Sequence, residues 1–123
     1  LGVAVDYLNA LGMDKIRHHT QALTVHALEK LHAVDGVKIY GAAESRAGVI
    51  ALTLDNVHAH DLASMLDAEG IAVRAGMHCT HPLHTCLNIP ATTRASFYLY
   101  NTFEEADRLA AALQKAHALF RRP

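Results

Sequence analysis

Apolar residues recur near helical spacing at Val3, Tyr7, Leu8 and Leu11, which predicts a first helix over 2–11. Gly12 stops it, and Asp14 is placed to cap a second helix from Lys15 to about Val34. Ile16, Leu23, Ala27, Leu31 and Val34 form its buried stripe, while Arg17, His18, Gln21 and Glu29 face water. Asp35-Gly36 reads as a turn. Val37–Tyr40 reads as a short strand, Gly41–Arg46 as a polar loop, and Ala47–Leu54 as a β-branched, apolar central strand. Asp55-Asn56 closes that strand. His60–Glu69 is amphipathic through Leu62, Met65 and Leu66, and Gly70 sits where a helix-ending glycine belongs.

Ile71–Val73 then reads as a strand that delivers a loop. Pro82 suits the first turn of a short helix to about Leu87, and Asn88-Ile89-Pro90 ends it. Thr92–Tyr100 alternates weakly, as a strand would. Thr102 and Glu105 have the spacing of a capping box for a last helix, which buries Phe103, Ala106, Leu109, Leu113, Ala116 and Phe120. The order ααββαβαβα predicts one α/β domain. A small mixed sheet of three to four strands would carry its helices mainly on one face.

Composition narrows the picture. The chain has 123 residues, 51% of them hydrophobic, enough for one domain with a true core. A formal net charge of −1 gives no basic field to attract nucleic acid. No apolar run is long enough to span a membrane, and no basic-then-apolar opening marks a secretory signal. Two cysteines do not make a disulfide framework, so a reduced, cytoplasmic chain is expected. Leu1-Gly2 leads straight into helical periodicity without a methionine, which suggests a piece of something longer.

Candidate chemistry gathers in the run Arg74-Ala75-Gly76-Met77-His78-Cys79-Thr80-His81-Pro82. Cationic neighbours and partial exposure make a thiol reactive, because the thiolate is the nucleophile. A buried, inert cysteine is the competing reading of Cys79. A zinc site is a third, since His78, Cys79, His81, His84 and Cys86 are all ligand types. Their spacing matches no common zinc pattern, and only His81 and His84 would share a helix face. Arg94 stands in an otherwise apolar strand and asks for an anionic partner, either a substrate carboxylate or Asp61, Asp67 or Glu69. Arg74 poses the same question. His58 and His60 flank a helix start and are surface histidines by default.

The segment GIAVRAGMHCTHPLHTCLNIPATTRASFYLYN, residues 70–101, closely resembles the end of the SUF-type (group II) cysteine desulfurases. These are pyridoxal-phosphate enzymes of the class V aminotransferase family. GVAVDYLNALGMDKI resembles the helix leaving their large domain, and AGVIALTLDNVHAHDLASMLDAEGIAVRAG the strand–helix–strand of their small domain. The resemblance implies the small, C-terminal domain of a fold-type I enzyme over 1–123, with residues 1–12 a remnant of the inter-domain helix.

It further implies a catalytic Cys79 that takes sulfur from L-cysteine, leaving alanine and an enzyme persulfide for iron–sulfur cluster assembly. Arg94 would bind the substrate carboxylate, Arg74 would line the site, and Gly76 and His78 would shape the loop. His60, or the nearby His58, would contact a sulfur-acceptor protein of the SUF system. Met77 stands where many members carry another histidine. The cofactor lysine has no counterpart among Lys15, Lys30, Lys38 and Lys115, so the chain alone should be inactive. It should bind no cofactor and no metal, and should either self-associate, as in a homodimer, or disorder its cysteine loop. A free-standing persulfide relay and a zinc-binding domain are the alternative functions.

Overall fold

A computed structural model describes residues 1–41 and 47–121. The polar loop expected over Gly41–Arg46 lies, from residue 42 on, outside the described residues. Nine elements follow in order: α1 (Gly2–Leu11), α2 (Met13–His32), β1 (Val37–Tyr40), β2 (Val49–Leu54), α3 (Ala59–Ala68), β3 (Arg74–Gly76), α4 (His81–Cys86), β4 (Thr92–Ser96) and α5 (Phe103–Phe120). The four strands lie in the order β1-β2-β4-β3. Each pairing is antiparallel, not mixed as the sequence suggested.

Alternation along β2 decides which face is covered. Ile50, Leu52 and Leu54 are buried, while Val49 is exposed. The buried set joins Leu23, Leu31, Leu62, Leu66 and Leu113 in one hydrophobic cluster, so α2, α3 and α5 cover the same side. The expected stripe of α2 is buried at all five positions. The opposite side of the sheet carries no helix of that cluster.

Several boundaries moved for local reasons. Gly12, at φ 87°, is the sole break between α1 and α2, and its carbonyl accepts from Lys15 and Ile16. Asp14 therefore sits within the first turn and is not the cap, where its charge still favours the helix dipole. Gly70, at φ 74°, ends α3 as expected: Ile71 N–H reaches Leu66 O at 2.8 Å and Gly70 N–H reaches Asp67 O at 2.9 Å. That cap holds Ile71, so the strand expected over 71–73 begins only at Arg74.

β4 stops at Ser96 instead of Tyr100 because Asn101 folds the chain back. Its Oδ1 accepts from Tyr98 N–H at 2.8 Å. The capping box of α5 forms between Thr102 and Glu105. Phe103 and Phe120 are exposed and not on the buried face; Phe103 meets the ring edges of His19 and His26. None of the residues of α1 is buried, and Val3, Val5 and Tyr7 stand in solvent.

Leu62 is fully buried where α3 meets the sheet. Leu62→Ala should therefore cost about 3 kcal/mol of unfolding free energy. A urea midpoint unchanged from the parent sequence would show that α3 is not packed as described.

Candidate functional site

Pairing places the two arginines. Arg74 of β3 lies directly across from Arg94 of β4, and Arg94 is flanked on its other side by Ala51 of β2. Thr93 and Ala95 point into the helical layer, where Thr93 Oγ1 donates to Ala59 O at 3.3 Å. By alternation, Thr92 and Arg94 face the side away from α2, α3 and α5. Arg94 is half-buried there, and its Nε is buried with no hydrogen-bond partner in the described structure. Such a donor asks for an acceptor, and an anion suits it best. Asp61, Asp67 and Glu69 form no described ion pair with it.

β3 hands the chain to the cysteine loop. His78 and Cys79 adopt φ of 51° and 61°, the left-handed region that non-glycine residues avoid. Two such residues in succession need fixed surroundings. Thr80 supplies part of them: its N–H and its hydroxyl both donate to Met77 O, at 2.8 and 2.7 Å. The resulting turn leaves Cys79 exposed, as a free thiol. This excludes the buried-cysteine alternative. Cys86 is also free and exposed.

His78 reports the electrostatics of this corner. Its Nε2 lies 3.1 Å from Thr92 O, and a carbonyl only accepts, so Nε2 carries the proton. Burial pulls its pKa below the ordinary 6.5, more than the Thr92 bond lifts it. The nearby charges of Arg94 and Arg74 push the same way as burial, as does His84 when it is protonated. The neutral ring then has a bare Nδ1, buried and without a partner. An orphan donor on Arg94 and an orphan acceptor on His78 thus stand at one corner of the sheet.

Other candidates fall elsewhere. His84 is 5% exposed while His81 is exposed, so the two do not share a usable face. Among the described residues no three His, Cys, Asp or Glu side chains converge as a metal site, so this geometry gives the zinc-cluster reading no support. His58 caps α3 through Nδ1, which accepts from His60 N–H at 3.3 Å. The His60 ring stacks on that of His58, 5.5 Å between centroids, on the exposed start of α3. No described hydrogen bond links it to the cysteine loop. Sequence reasoning missed Thr92, which meets both loop histidines, and gave His84 only a metal role. The signal was present in the i, i+4 spacing of Thr80 and His84.

The family model for class-V aminotransferases matches residues 1–109, and the chain belongs to that family. It is 50% identical over 121 residues to a probable cysteine desulfurase of Halobacterium salinarum, covering 98% of this chain and 29% of the relative. A cysteine desulfurase of Haloferax volcanii is 48% identical over 118 residues, 95% of this chain and 28% of the relative. The fold is similar to the apo cysteine desulfurase of Thermococcus onnurineus NA1, with TM-score 0.88 and 31% identity over 93% of this chain and 29% of that one. It is also similar to the S-sulfonic acid form of the Escherichia coli cysteine desulfurase CsdA, with TM-score 0.77 and 31% identity over 85% of this chain and 26% of that one. The chain thus spans under a third of these relatives.

The pKa of His78 makes a signed prediction. Well above pH 6.5 the ring is neutral whether the chain is folded or not. As pH falls below 6.5, the unfolded chain takes up a proton that the folded chain refuses, so stability declines until the folded-state pKa is reached. His78→Gln should flatten that decline. An NMR titration placing His78 at or above 6.5 would contradict it.

Proposed function

We propose that residues 1–123 are the small-domain part of a SUF-type cysteine desulfurase, with α1 as the remnant of its inter-domain helix. The observation that carries this reading is an exposed Cys79 beside a sheet face whose Arg94 offers a buried, unpartnered Nε–H. The high identity to proteins named cysteine desulfurases supports it.

In this reading Arg94 binds the α-carboxylate of L-cysteine, since a guanidinium fork matches that group. Arg74, its cross-strand neighbour, adds positive charge to the same face. Gly76, at φ 126°, gives the loop its exit from β3, a conformation that a side chain rarely adopts. Cys79 accepts the substrate sulfur. The carbon–sulfur bond of L-cysteine breaks and a sulfur–sulfur bond forms, so cysteine plus thiol gives alanine plus persulfide. The exposed His60 meets the sulfur-acceptor protein of the SUF system, and iron–sulfur assembly in the cytoplasm consumes the sulfur.

The residues of this chain do not fit pyridoxal phosphate, which supplies the electron sink for such a cleavage when bound. Its imine needs a lysine. Lys30 pairs with Asp107 and Lys115 with Glu69, both in the helical layer. Lys38 lies over the Tyr40 ring in β1, and Lys15 is in the first turns of α2. The cofactor belongs to the remaining part of the enzyme, against which the exposed apolar side of α1 would pack. Alone, this chain covers that side by self-association.

Within an enzyme carrying this segment, Cys79→Ser should lower alanine formation at least roughly a hundredfold. Arg94→Ala should lower kcat/KM about ten- to hundredfold, the worth of a charged hydrogen bond. Full activity in Cys79→Ser would sink the proposal. So would alanine production by the isolated 123-residue chain with added cofactor.

A further inference from the structure

Strain at His78 and Cys79 has to be held by something, and the backbone of the loop supplies little. We propose that His84 is a positioning residue for the Cys79 thiol, clamping Thr80, the next residue in the chain, to Thr92 of β4. This rests on the reading of Cys79 as the sulfur-bearing thiol.

Proton accounting fixes the clamp. His84 Nδ1 lies 3.1 Å from Thr80 O and 3.2 Å from Thr80 Oγ1. The carbonyl can only accept, so Nδ1 carries the proton. The Thr80 hydroxyl spends its own hydrogen on Met77 O, so its oxygen is free to accept from the same Nδ1–H. On the other side of the ring, Nε2 is 3.3 Å from Thr92 Oγ1 and, in the neutral ring, accepts its hydrogen. His84 is thus an Nδ1–H tautomer, the opposite of His78.

The two rings converge on one residue. Thr92 gives its carbonyl to His78 and its hydroxyl to His84, and their rings lie 6.2 Å apart. Thr92 is itself 2% exposed, and its neighbours pair with β3 on the sheet. The residue before Cys79 and the residue after it are therefore both tied to the same rigid strand position. The thiol between them projects from a loop anchored on each side. α4 adds the helical bond from His84 N–H to Thr80 O at 3.1 Å, so the ring and the backbone of His84 grip the same carbonyl.

The test uses the 123-residue chain and needs no sulfur chemistry. Long-range ¹⁵N–¹H correlation should find His84 protonated at Nδ1 and His78 at Nε2. In His84→Phe, which keeps an aromatic ring but loses the ring bonds to Thr80 and Thr92, amide exchange at Thr80 should quicken at least about tenfold. Amides of β2 and α5 should stay as slow as before. His84→Asn, whose amide can still donate toward Thr80, should restore most of the Thr80 protection. An Nε2–H tautomer at His84 would overturn the proposal. Unchanged Thr80 exchange in a folded His84→Phe would do so too. Both readouts are independent of whether Cys79 takes sulfur, so failure of the desulfurase reading would show separately, as an active Cys79→Ser enzyme.

Discussion

Strand β4 divides the molecule, because its side chains alternate between the helical core layer and the face that anchors the cysteine loop. Thr93 and Ala95 belong to the helical side, and Ala95 is part of the core cluster. Thr92 and Arg94 belong to the other side, where the Arg94 Nε is buried without a partner. A slip of one residue would exchange the two sets. The register is held from both flanks, by β2 at four residue pairs and by β3 at three. Gly48 tightens it further. A side chain there would meet Phe97 O at 2.2 Å and Thr20 Cγ2 at 2.6 Å. The core therefore does more than stabilise the fold, since it fixes that the face bearing both arginines is the one turned away from α2, α3 and α5.

Local patterns in the sequence carried most of the helical layer. The stripe of α2, the glycine that ends α3 and the box that starts α5 are each set by a few neighbouring residues. The sheet edges were less legible. Ile71–Val73 has the composition of a strand, yet Ile71 is held by the helix before it. Phe97–Tyr100 looks β-like, yet the Asn101 side chain turns the chain. In both cases a hydrogen bond to one neighbour outweighed a propensity summed over several. Antiparallel pairing throughout also escaped the sequence, because strand order depends on long-range contacts.

The candidate site was half legible. Cys79, Arg74 and Arg94 stand out by type and position, and the fold sets the two arginines directly opposite each other. What holds the loop did not stand out. Thr92 and His84 read as an ordinary strand residue and a possible ligand, and their role depends on contacts across the fold. Among the described residues that corner offers an unpartnered donor, an unpartnered acceptor and an exposed thiol. In the proposed reading these form one wall of a larger active centre, and the chain spans about 29% of its relatives.

In the proposed reaction the substrate sulfur passes to Cys79. Tandem mass spectrometry of a cofactor-loaded enzyme carrying this segment, quenched after a single turnover with L-cysteine, tests it most directly. One added sulfur is expected, localised to Cys79 and removed by a thiol reductant. Added sulfur on Cys86 instead, or on neither cysteine while alanine accumulates, would contradict it.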